Sequence, residues 1–308
     1  MNKNSLKGSF LLLLTAFVWG VAFVAQSVGM DYLNAFAFNS IRNFIGAFVL
    51  IPVLMWNSSR SKNTMNNVQE QNSLHGIFTK DLMIGGLICG TALCIASNFQ
   101  QLGIQYSTVG KSAFITTLYI VFVPLLGLFF KKKVSPQVWI GVLLAMAGLY
   151  LLCMKDEVFV LSTGDIYLLL SAFFFTIQIT AVDYFVPKVN GVALSMMQFL
   201  VTAILSGVCV LFTEIPTWSD ICAAAIPLLY AGVISCGIGY TLQIIGQQHL
   251  SATVASLIMS LESVFATLAG WLILHEVLST KELIGCGLVF IAVLLTQLPL
   301  APFLRHSK

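Results

Sequence analysis

Residues 7–17 read KGSFLLLLTAF, and residues 163–173 read TGDIYLLLSAF. A shift of 156 lays one on the other, matching Gly8 with Gly164 and Ala16-Phe17 with Ala172-Phe173; carried on without a gap, it pairs Asn34 with Asn190. Further along, a shift of 143 lays GIQYSTVGKSAFI (103–115) on GQQHLSATVASLI (246–258). The same shift pairs Val121-Phe122 with Val264-Phe265, Gly127 with Gly270 and Gln100 with Gln243. One more residue of slip aligns IGVLLAMAG (140–148) with IGCGLVFIA (284–292). The identities are sparse, but they fall in order along the whole chain. The chain therefore reads as one unit written twice, over 8–154 and 164–298.

Composition says where such units fold. Of 308 residues, 58% are hydrophobic and 9% charged, with mean hydropathy +0.93. A soluble domain carries roughly a quarter charged residues, so this chain cannot coat its own surface with polar groups and reads as an all-α integral membrane protein. A bilayer core takes about 20 apolar residues per helix. Ten such runs are present, at about 8–28, 34–56, 82–102, 109–130, 137–154, 165–185, 192–213, 222–245, 252–274 and 282–298. The first has lysines before it but no cleavage site after it, so it reads as a membrane helix rather than a signal peptide. The one long polar connection is 57–80, expected as a cytoplasmic loop.

Charge orients the stack. With the N-terminus in the cytoplasm, Lys3, Lys7, Arg60, Lys62, Lys80, Lys131, Lys132, Lys133, Lys188, Arg305 and Lys308 fall inside and only Lys155 and Lys281 outside, eleven against two. That is a strong positive-inside bias. Both termini are then cytoplasmic, which ten spans satisfy. Five helices per unit is an odd number, so the two copies cross the membrane in opposite senses. Inverted repeats of this kind characterise secondary transporters, with the substrate site near the midplane between the halves.

The motifs LTAFVWGVAFV (14–24), FITTLYIVFVPLLG (114–127) and WIGVLLAMAGLYLL (139–152) occur in the first copy. In the second stand ASLIMSLESVFATLAGWLILHEVLS (255–279) and LIGCGLVFIAVLL (283–295). In these the chain resembles the drug/metabolite transporter superfamily, specifically EamA-type proteins with two EamA domains, over about 8–298. It departs in having Glu262-Ser263 where the family's second copy commonly has Glu-Pro, and a lysine triplet (131–133) where the first often has an acidic residue. The resemblance implies a multi-pass transporter of the cell membrane, carrying small organic solutes and often exporting amino acids or related metabolites. Its central cavity would be lined by helices 1–4 and 6–9, with helices 5 and 10 peripheral.

Glu262 is the strongest candidate for the chemistry. It lies about ten residues into the ninth run, roughly 15 Å deep at 1.5 Å per residue, and its ten predecessors and thirteen successors carry no formal charge. An intramembrane carboxylate costs at least a few kcal/mol and marks a functional site by default. On the same helix Ala252, Ser256, Ser260, Ser263, Thr267 and Gly270 form a stripe of small residues, which lets another helix pack closely. Glu262 is expected to face the bundle interior as a proton-accepting or substrate-orienting group. Arg42, with Asn39 and Asn43 beside it, cannot shed its proton and needs a partner, water or an anionic substrate group. Glu262 is its natural counter-ion where the two helices meet, and a structural ion pair or snorkelling to the interface is the alternative to a substrate or gating role. Lys111 sits a few residues inside the fourth run, and Asp183 near the cytoplasmic end of the sixth, where both read as interfacial. Trp19, Gln26, Asn98, Gln100, Tyr119, Gln178, Tyr240 and Gln243 complete an aromatic-and-amide lining of the type transport pockets use.

The expected partners are a small-molecule substrate, the lipid bilayer and protons, with the chain a monomer or homodimer; no nucleic acid and no cofactor are expected. Seven cysteines make no CxxC pair and read as buried thiols. No GxxxxGK[ST] motif supplies ATP hydrolysis. A membrane-embedded enzyme is a poorer reading, because the one suggestive pair, His275-Glu276, has no second histidine at metalloprotease spacing. A sensory or scaffold protein would more naturally carry a sizeable soluble domain.

Overall fold

A computed structural model describes residues 3–62, 79–132, 134–153, 162–213, 215–275, 277 and 279–297. Among them every regular element is helical, and no β-strand occurs. The helices are α1 (Lys3–Gly29), α2 (Ala35–Lys62), α3 (Lys80–Ile104), α4 (Val109–Thr116), α5 (Tyr119–Phe129), α6 (Pro136–Cys153), α7 (Thr163–Phe185) and α8 (Gly191–Val210). There follow α9 (Trp218–Ala223), α10 (Ala225–Leu229), a π-helical segment (Tyr230–Tyr240), α11 (Thr241–Gln247), α12 (Ala252–Met259), α13 (Glu262–Ile273) and α14 (Thr280–Gln297). Eight stretches of these residues are long and apolar enough to cross a membrane; α6 and α14 hold shorter apolar stretches, Pro136–Gly148 and Leu283–Leu295. Residues 63–78 of the expected loop, the two chain ends, Glu276, Lys133 and Lys155 lie outside the described residues.

Small residues set the packing. A Cβ on Gly20 of α1 would lie 2.4 Å from the Phe265 side chain and 2.8 Å from Ala266 N of α13. Gly90 of α3 faces Val201 and the Gln198 carbonyl of α8, and Gly103 faces Leu168 and the Gly164 carbonyl of α7. Close backbone approach of this kind replaces the hydrophobic driving force that lipid removes. The stripe predicted along the ninth run is buried at all six positions. Gly148 of α6 lies against Gly285 and Leu288 of α14, so these two helices pack on each other.

Three expected single helices are not single. The run 109–130 is broken between α4 and α5, and the run 252–274 between α12 and α13. The two breaks, at Thr117 and Leu118 and at Ser260 and Leu261, stand 143 residues apart. Both carry the same local bond. Thr117 Oγ1 donates to the Phe114 carbonyl at 2.7 Å, and Ser260 Oγ donates to the Leu257 carbonyl at 2.7 Å. A hydroxyl that bonds back to its own helix competes with the amide ladder and bends it. Each break closes as a tight turn, with Leu118 N on the Ile115 carbonyl and Leu261 N on the Ile258 carbonyl, both at 3.2 Å. The run 222–245 is likewise interrupted by the π-helical segment.

Candidate functional site

Both breaks put a polar side chain into the first turn of the following half-helix. After the first it is Tyr119, after the second Glu262, and Tyr119 Oη donates to Glu262 Oε1 at 2.9 Å. Glu262 is 3% exposed and Tyr119 2%. They belong to a central chamber that also takes Trp19, Ala22, Phe23 and Gln26 from α1, Arg42 from α2, Gln100 from α3 and Thr116 from α4. Phe175, Gln178 and Ile179 of α7, Ser235 and Tyr240 of the π-helical segment and Gln243 of α11 complete it. About 30 Å³ is open to water there, room for two or three molecules at roughly 10–15 Å³ each. No organic metabolite fits until the walls part.

Amides and aromatics hold the walls in register. Gln243 Nε2 donates to Gln178 Oε1 at 3.3 Å, and Gln178 Nε2 donates in turn to Gln198 Oε1 at 3.2 Å, linking α11, α7 and α8. The Trp19 and Tyr240 rings lie 4.5 Å apart. The widened π turn offers backbone carbonyls that α1 uses: Trp19 Nε1 donates to the Ser235 carbonyl at 3.4 Å and Thr15 Oγ1 to the Gly239 carbonyl at 3.2 Å. π turns are rare and recur at functional sites.

Arg42 is 3% exposed, and its Nη1 donates to Gln26 Oε1 at 2.8 Å. Its guanidinium carbon stands 5.8 Å from the centre of the Phe38 ring. The expected ion pair with Glu262 does not form. The two share the chamber, and each is held by a neutral neighbour. Among the described residues Arg42 Nε and Gln243 Oε1, both buried, have no hydrogen-bond partner.

The family model described as the EamA-like transporter family matches residues 6–154 and again residues 162–298. The chain belongs to that family. The EamA-like family is part of the drug/metabolite transporter superfamily. An uncharacterized transporter of Archaeoglobus fulgidus is 29% identical over 292 residues, covering 93% of this chain and 84% of its own length. The uncharacterized transporter YoaV of Bacillus subtilis is 21% identical over 283 residues, covering 88% of this chain and 90% of its own. A protein of known crystal structure superposes with a TM-score of 0.76 at 16% identity, over 97% of this chain and 99% of its own. The family and the transporter-named relatives support a transporter role for this EamA-like chain, and with its apolar helices they make it a multi-pass helical membrane protein.

Nine residues singled out from the sequence line the chamber of this EamA-like protein: Trp19, Gln26, Arg42, Gln100, Tyr119, Gln178, Tyr240, Gln243 and Glu262. Others do not. Asn39 Nδ2 donates to the Ser97 carbonyl at 2.9 Å and to Asn98 Oδ1 at 3.0 Å. Asn98 Nδ2 donates to Ser206 Oγ at 2.8 Å. Both asparagines are engaged in bonds that join α2, α3 and α8, and neither lines the chamber; Asn98, two residues before Gln100, is turned about 200° from it around α3. Lys111 Nζ lies 2.9 Å from each oxygen of Asp165, so it pairs with the neighbouring helix where snorkelling to the interface was expected. Asp183, read as interfacial, binds Lys132 Nζ at 2.6 Å and is 16% exposed.

The sequence reading missed Ala22, Phe23, Thr116, Phe175, Ile179 and Ser235 in the lining. Phe175 was findable, since the shift of 156 pairs it with Trp19. As expected for the fifth and tenth runs, α6 and α14 contribute no described side chain to the chamber; α8, the seventh run, was expected to line it and does not. The eighth-residue-deep arginine likewise has a counterpart: the same shift pairs Arg42 with Gln198, the end of the amide chain.

Proposed function

We propose that this protein is a secondary transporter that moves small carboxylate-bearing solutes, such as amino acids, out of the cell by alternating access around the central chamber. Ten crossings as two inverted five-helix repeats, with both termini cytoplasmic and the chain in the plasma membrane, are part of this reading. The order of the two copies and the matching breaks in their fourth helices support it. Arg42 would take the carboxylate, the glutamines the remaining polar groups, and Trp19, Tyr240 and Phe175 the apolar part. Glu262, in the first turn of α13, would accept a proton from one side and release it to the other.

One observation carries this: an arginine and a glutamate are buried in one chamber without pairing with each other. Two unlike charges kept apart in a low-dielectric interior are costly, and a site that binds a charged guest on one and a proton on the other accounts for the arrangement. Solute counterflow in proteoliposomes over a metabolite panel, with and without a pH gradient, tests it. Exchange of a carboxylate solute is expected; no exchange of any solute would favour a non-transporting membrane protein.

A further inference from the structure

A second cavity, of about 250 Å³, lies one helical turn along from the chamber. Thr180 in its wall directly follows the chamber residue Ile179, and Val123 lies one turn along α5 from Tyr119. Gly127, Lys132, Ser135 and residues 251–254 at the start of α12 complete the part that matters here.

Three wall positions have counterparts at the other end of the broken helices. The shifts of 156 and 143 pair Thr180 with Val24, Ala252 with Val109 and Val123 with Ala266. At that end the space is closed. Val24, Val109 and Ala266 sit in one apolar cluster with Phe23, Ile104, Ala113 and Ala269, each at most 5% exposed. At these three positions the filling is nearly the same on both sides: two valines and an alanine at the closed end, a valine, an alanine and a threonine of valine's size at the open one. Side-chain size at these positions therefore does not account for the open space.

Asp183 stands at the rim of the open end. Its Oδ2 accepts from Lys132 Nζ at 2.6 Å and its Oδ1 from Ala252 N at 3.1 Å. Lys132 and Ala252 are both wall residues, so one carboxylate on α7 spaces the turn after α5 from the first turn of α12. Bringing those walls together would displace it.

We propose that the two ends of the path are in opposite states, with the 250 Å³ cavity as the open mouth and the Phe23 cluster as the closed one, and that Asp183 holds the mouth open. The inference rests on the alternating-access reading. In the opposite state the cluster parts and α12 closes on α5 and α7. Asp183 is a positioning residue, touching the walls and no solute.

The test is the reaction rate of single cysteines with a charged maleimide in lipid nanodiscs, where both faces are reachable. Thr253→Cys reports the mouth and Val109→Cys the cluster, in a chain whose seven native cysteines are alanine. Thr253→Cys should react at least tenfold faster than Val109→Cys. Asp183→Ala should lower that ratio threefold or more, and Asp183→Asn, which keeps the shape and one acceptor, should lower it less. Equal rates at the two cysteines would overturn the assignment of open and closed ends. An unchanged ratio in Asp183→Ala, with thermal melting showing a folded protein, would overturn the role of Asp183. No solute is added, so either failure leaves the transport reading standing. A clear asymmetry without flux of any solute would count against transport alone.

Discussion

Tyr119 and Glu262 share one hydrogen bond of 2.9 Å across the chamber, and they stand 143 residues apart, the shift that superposes the later parts of the two copies. Corresponding side chains can touch only where the copies themselves meet. The first copy supplies a phenol and the second a carboxylate, so the junction holds a single acid, bonded to its own counterpart. The turns that present the pair are equally matched, through Thr117 and Ser260.

Glu262→Gln should keep the fold, because its amide oxygen still accepts from Tyr119 Oη. Solute exchange should persist and its dependence on a pH gradient should vanish. Flux assays on both proteins with and without the gradient check this; identical behaviour would make Glu262 structural. Tyr119→Phe removes the donor and should cost about 1 kcal/mol of stability, read as a lower melting temperature in detergent.

Arg42→Gln should raise the KM for a carboxylate solute by roughly 10- to 150-fold, the range of a charged hydrogen bond of about 1.5–3 kcal/mol. Arg42→Lys keeps the charge but lacks the planar fork that reaches Gln26, so it should recover only part of the loss. Transport kinetics of the three proteins decide the point, and an unchanged KM in Arg42→Gln would remove Arg42 from the binding site.

Asn98→Leu should destabilise by about 1–2 kcal/mol without altering KM. Ser206 and Asn39 lose a buried partner, and interhelical hydrogen bonds in membranes are worth about 0.6–2 kcal/mol. Melting temperature and transport KM measured on the same preparation separate this from a binding role.

Gly20→Ala and Gly287→Ala should differ sharply. The first places a methyl 2.4 Å from Phe265 and pushes α1 from α13, while the second meets nothing within 4 Å. Overpacking costs about 1–3 kcal/mol; an exposed helical glycine replaced by alanine gains up to about 1 kcal/mol. Melting curves of the two variants should move in opposite directions.

Much of the site was readable because lipid makes polar residues conspicuous. In a chain with 9% charged residues, a lone Glu262, an Arg42 and scattered glutamines had to lie inside, and nine of the expected residues do line the chamber. Pairing was not readable in the same way. A helix apolar on all sides carries no stripe to reveal its rotation, so Asn39 and Asn98 looked no different from the glutamines that reach the centre.

Taken by itself, the sequence determined the solvent, the helical class and the doubling, since burying backbone in hydrocarbon allows few solutions and the two copies align in order. Only the tertiary structure decided that Arg42 turns to Gln26, that Lys111 meets Asp165, and that the fourth and ninth runs each break at a hydroxyl. Those outcomes depend on the depth and rotation of one helix against another, and both are set by close packing of side chains far apart in the chain.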